Sequence, residues 1–191
     1  MRQLKKVLNL QQKQQLRLQQ LEAVVDMKYR YIILLAIVNF ILSSTIFQLF
    51  RINDALPNFC IILSIILASL GNSRQAYLFA LLSGLMQDVF LGRMIGVNFM
   101  IYGLIVLITI NLIEIMFKGN FITPVFLIAL GTMFYHFVFY VILFFVQSTI
   151  PFELMAIKIA TEVLYNGILG YLIYSTAFKK VHGYKFGDFN A

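Results

Sequence analysis

Apolar residues in this chain fall into six blocks, each closed by a short polar or glycine-containing break. The blocks cover about 31–50, 55–71, 75–92, 95–117, 121–147 and 154–178, close to the roughly 20 residues that a bilayer core demands of one helical span. Asn53-Asp54 with Pro57 separates the first pair, and Gly71-Asn72-Ser73 the second from the third. Gly92-Arg93 and Lys118-Gly119-Asn120 close the third and fourth, and Gln147-Ser148-Thr149-Ile150-Pro151 divides the last two. The fifth block is the longest and predicts tilt or a kink near Gly131. No internal repeat is visible. The pattern predicts an all-α integral membrane protein built as a bundle of six transmembrane helices.

Composition strengthens that reading. Hydrophobic residues make up 61% of the 191 and charged residues 12%, with a mean hydropathy of +0.86. Soluble domains run to about 45–50% apolar and about 25% charged. Six spans leave only short loops and two tails, so no separate soluble domain of useful size fits. The net charge of +7 lies at the chain ends and in short loops. That placement points to membrane orientation and away from nucleic acid. With the amino end inside, twelve Lys and Arg fall on the inner side, against Arg51 and Arg93 outside and Lys158 within the sixth block. Without the first 26 residues the ratio is still seven to two. Both termini are therefore expected in the cytoplasm. Cys60, the single cysteine, stands in an apolar run, which excludes an internal disulfide and a Cys/His metal cluster.

Residues 1–26 differ from the rest, being rich in Gln and basic side chains. Leu4, Val7, Gln11, Gln14, Leu18, Leu21 and Val25 form a heptad-like seam with two polar interruptions. Such a segment suits a short coiled coil with a partner, or a helix lying on the anionic inner leaflet. A third reading starts the protein at Met27-Lys28-Tyr29-Arg30 and makes 1–26 an upstream extension. The domain plan is thus 1–26, a membrane domain over 27–180 and a cytoplasmic tail over 181–191.

Polar residues at membrane depth cost at least about 2.5–3.5 kcal/mol each when charged, so each needs a reason. In the third block Ala76, Ala80, Gly84 and Asp88 recur every four residues and share a helix face. The three small residues form a strip where another helix can approach closely. Asp88 either pairs with Arg93 or caps the next helix. In the sixth block Lys158, Glu162, Asn166 and Gly170 form a second stripe. Lys158 and Glu162 are expected to form an intramembrane pair, with a proton or ion relay as the alternative. Glu114 can reach Lys118, and His136, among Tyr135, Phe137 and Tyr140, reads as a packing residue. No catalytic motif, cofactor fingerprint or metal-ligand spacing is present, so an enzyme is not expected.

The stretch Gly84-Leu85-Met86-Gln87-Asp88, followed by Gly92-Arg93-Met94-Ile95-Gly96-Val97-Asn98, resembles the signature of the rod shape-determining MreD family. Met94 stands where the family commonly has Pro. The resemblance implies a non-enzymatic scaffold subunit of the bacterial cell-elongation complex in the plasma membrane. It implies binding to MreC and, through it, support for RodA, a penicillin-binding transpeptidase and the filament MreB. Gly84, Asp88, Gly92, Arg93, Gly96 and Asn98 become the candidate partner motif, a rigid corner presenting Asp88, Arg93 and Asn98 at the outer face. Gly92 and Gly96 would permit the turn, and Asn98 would cap the fourth helix. The family is also similar in helix number to the substrate-binding subunits of energy-coupling-factor vitamin transporters. That leaves a vitamin-type binding subunit, or a proton-coupled carrier using Lys158 and Glu162, as the alternatives.

Overall fold

A computed structural model describes residues 29–52, 55–91, 95–115, 122–145 and 151–182. The seam over 1–26, Gly92, Arg93, Lys118 and the tail beyond 182 lie outside the described residues. Among the described residues there are six α-helices: α1 Tyr29–Ser44, α2 Phe59–Ser69, α3 Ser73–Phe90, α4 Val97–Ile115, α5 Ile122–Phe145 and α6 Phe152–His182.

The helix ends follow from local chemistry. α1 stops at Ser44, short of the expected residue 50, and a 3-10 turn over Ile46–Phe50 follows. Ser44 Oγ donates to the Phe40 carbonyl at 2.8 Å and Thr45 Oγ1 to that of Ile41 at 2.6 Å. Such hydroxyl back-bonding competes with the helix ladder. Asn58 opens α2 by accepting the Ile61 N–H on its side chain at 3.3 Å. Gly71, at φ +92°, closes α2. The Asn72 N–H there bonds the Leu67 carbonyl at 3.1 Å, and the Gly71 N–H that of Ala68 at 3.1 Å.

At 11 residues α2 is about 16 Å long, half a hydrocarbon core and shorter than the block expected over 55–71. It is apolar all round and buried on nearly every side, and it touches all five other helices. α1, α3, α4, α5 and α6 form an arc around it, each packed on its neighbour in that order. No contact joins α6 to α1, so the arc is open there among the described residues.

The outer faces of the arc are apolar too. Ile33, Leu34 and Ile37 on α1, Leu104 and Leu107 on α4, Phe126 and Phe137 on α5 and Leu164 and Ile168 on α6 are all exposed. Apolar surface on this scale suits lipid and not water. α5 and the Glu153–Phe178 stretch of α6 are long and apolar enough to cross a membrane. α5 runs without a break through Gly131, where the absent side chain admits Ile65 and Ile105; a Cβ would stand 3.0 and 3.3 Å from them.

Candidate functional site

Ala76, Ala80, Gly84 and Asp88 line the buried face of α3. Gly84 receives the start of α4 directly: a Cβ there would stand 2.8 Å from the Phe99 Cα and N. That close approach brings the free N–H groups of the first turn of α4 to Asp88, one turn further along α3. Asp88 Oδ2 accepts from Gly96 N at 3.0 Å and Phe99 N at 2.9 Å. Oδ1 accepts from Asn98 N at 3.0 Å and Asn98 Nδ2 at 2.9 Å. Gly96 holds φ +95°, the left-handed region that favours glycine. The carboxylate is thus a cap supplied from a neighbouring helix, favoured further by the positive end of the α4 dipole.

Two expectations change here. Asp88 is 1% exposed, so it braces the corner from inside and is not displayed to a partner. Capping of α4 falls to Asp88, and Asn98, inside the first turn, links outward instead. Among its described residues the corner exposes apolar side chains: Val89, Phe90, Leu91 and Ile95, with Ile95 at 80%.

From Asn98 a polar chain crosses the bundle. Asn98 Oδ1 accepts from the Tyr135 hydroxyl at 2.8 Å, and the Tyr135 ring stacks on Tyr102 at 5.4 Å. Tyr102 donates to Gln87 Oε1 at 2.8 Å and accepts from Asn58 Nδ2 at 3.1 Å. The Asn58 N–H donates to Asn166 Oδ1 at 2.8 Å, and Asn166 Nδ2 to Thr132 Oγ1 at 2.9 Å. Buried amides and hydroxyls satisfied in this way fix the relative positions of α2, α4, α5 and α6.

The α6 stripe meets an equal stripe on α5. Gly170 faces Ile128, Asn166 bonds Thr132, and Glu162 bonds His136, Nε2 to Oε2 at 2.8 Å. These are successive rungs of an antiparallel pair, four residues apart on each helix. The expected Lys158–Glu162 pair is therefore corrected. Glu162 is buried and turned to His136, and no ion pair joins it to Lys158 among the described residues. The neighbouring helix offers a buried partner at hydrogen-bond distance, while the i−4 lysine is half-exposed.

A cavity of about 790 Å³ occupies the open side of the arc. Ser43, Gln48 and Arg51 line it from the α1 side, and Lys158 and Glu162 from α6. Asn58, Gln87, Tyr102, Tyr135 and His136 form its inner wall. Sequence reasoning missed Asn58, Gln87, Tyr102 and Thr132 and gave His136 a packing role. Only the four-residue spacing of Ile128, Thr132 and His136, matching the stripe on α6, was a usable signal. Among the described residues no group of three or more His, Cys, Asp or Glu could hold a metal ion.

A family model described as rod shape-determining protein MreD matches residues 26–179. The curated proteins and the solved structures gave no match.

Proposed function

Because the chain belongs to the MreD family of rod shape-determining proteins, a family of membrane proteins, we propose that it is a non-enzymatic scaffold subunit of the cell-elongation complex, binding MreC through the α3–α4 corner. Through MreC it would support RodA, its transpeptidase and the filament MreB. The observation that carries this reading is the internal brace of four hydrogen bonds from Asp88 to the first turn of α4. The described residues of this braced corner offer Val89, Phe90, Leu91 and Ile95 as an apolar surface, and a surface held in place lowers the ordering cost of binding.

The topology belongs to the same proposal: six spans in the bacterial plasma membrane with both termini cytoplasmic. The excess of Lys and Arg on the amino-terminal side supports it. So does the gathering of the end of α1 and the starts of α2, α4 and α6 at the end of the bundle that holds the corner and the cavity. On this orientation that end faces outward, where a single-span partner with an external domain can reach it. Replacing Leu91 and Ile95 together by Ser tests the reading. MreC recovery in mild detergent should fall while the amount and thermal stability of the protein hold. Unchanged recovery would remove the corner from the interface.

A further inference from the structure

Beside the polar cavity runs an apolar groove of about 530 Å³. It follows α5 from Leu127 to Tyr140, about 20 Å at 1.5 Å per residue, with Ile105 and Leu112 of α4 on one side and Met155 and Ile159 of α6 on the other. His136 and Met155 line both spaces, so groove and cavity meet there. Lys158 lines the polar side, next in sequence to Ile159 in the groove. Its ammonium has no ion-pair partner among the described residues, since the Glu162 carboxylate is held by His136 at 2.8 Å. Arg51, tethered to Gln48 Oε1 at 2.7 Å, lines the same cavity. Among the described residues of the recess, the Lys158 ammonium is therefore left without a counter-charge. A cation at this depth calls for a counter-charge, and the adjoining groove calls for hydrocarbon.

From these two features we infer that groove and cavity together form a binding site for one anionic phospholipid. Its phosphodiester lies beside Lys158, and one acyl chain lies along α5 between α4 and α6. A zwitterionic lipid fits the groove equally well, but its ammonium opposes Lys158, so headgroup charge decides the preference. The site stands apart from the α3–α4 corner.

The test uses the purified full chain, stripped of lipid in detergent and titrated with phosphatidylglycerol or phosphatidylcholine. Native mass spectrometry counts the bound lipid, and thermal unfolding gives the stabilisation. One phosphatidylglycerol per chain should be retained, with a preference over phosphatidylcholine on the order of fivefold for the single cation Lys158. Lys158→Gln should abolish the preference without moving the lipid-free unfolding midpoint, and Lys158→Arg should keep it. Met133→Trp, which fills the groove from its exposed side, should weaken both lipids alike. Equal binding of the two lipids by the parent protein would overturn the inference. So would inorganic phosphate reproducing the stabilisation, which would assign a free-anion site. Lys158→Gln that keeps the lipid preference but loses MreC recovery would give Lys158 to the partner and overturn it as well.

Discussion

Asp88→Ala removes the acceptor of three backbone N–H groups and of the Asn98 amide in one step. A hydrogen bond to a charged group contributes about 1.5–3 kcal/mol net, and a lost cap alone costs about 0.5–2 kcal/mol. The four bonds share two oxygens and one helix end, so they do not add in full; a loss of about 3–5 kcal/mol is expected. Against a domain stability of about 5–15 kcal/mol that is a large fraction. Asp88→Asn keeps one acceptor and turns an NH2 toward the N–H donors, so about half the loss is expected. Gly84→Ala acts on the same joint, because its Cβ would stand 2.8 Å from the Phe99 backbone. The double mutant should therefore lose less than the two single losses combined. Denaturant titration in a defined detergent, followed by circular dichroism, measures all four variants. An Asp88→Ala protein within about 0.5 kcal/mol of the parent would refute the cap as a structural brace.

Alanine substitutions at His136 and Glu162 should couple by about 0.5–3 kcal/mol in a double-mutant cycle. The Lys158–Glu162 cycle should give less than about 0.5 kcal/mol; the reverse ranking would restore the intrahelical pair. Asn39 is buried on α1, and neither of its side-chain polar atoms is hydrogen-bonded among the described residues. Asn39→Leu is thus expected to raise stability by about 1 kcal/mol, and a fall would reveal a partner for the amide. Single cysteines introduced at 53 and 149 should react with an impermeant thiol reagent on intact cells, and those at 72, 119 and 184 only after permeabilisation. An external carboxyl end would sink the six-span topology.

The helix plan was legible because apolar blocks and their breaks are local features of the chain. The ends of α1 and α2 were less so: hydroxyl back-bonding at Ser44 and Thr45 and the non-helical residues just before Phe59 shorten helices inside apolar sequence that looks continuous. The Ala76–Ala80–Gly84–Asp88 strip was visible through its period, and its destination, the first turn of α4, was not. Asp88 could be placed near a helix start by spacing, but its burial depends on Gly84 admitting the Phe99 backbone. The polar chain through Asn58, Tyr102, Tyr135 and Asn166 joins residues 108 apart in sequence. No local signal predicts such a pairing. The Lys158–Glu162 expectation failed for the same reason, since the competing partner sits on another helix.

The central claim, that the α3–α4 corner is the surface MreC meets, is tested most directly by a photo-crosslinking amino acid placed in living cells. Leu91 and Ile95 are the positions of choice on the corner, with Ile115 at the far end of α4, as exposed as Ile95, as control. The account predicts crosslinked MreC from 91 and 95 and none from 115. Crosslinks from 115, or none from 91 and 95 while MreC still co-purifies, would contradict it.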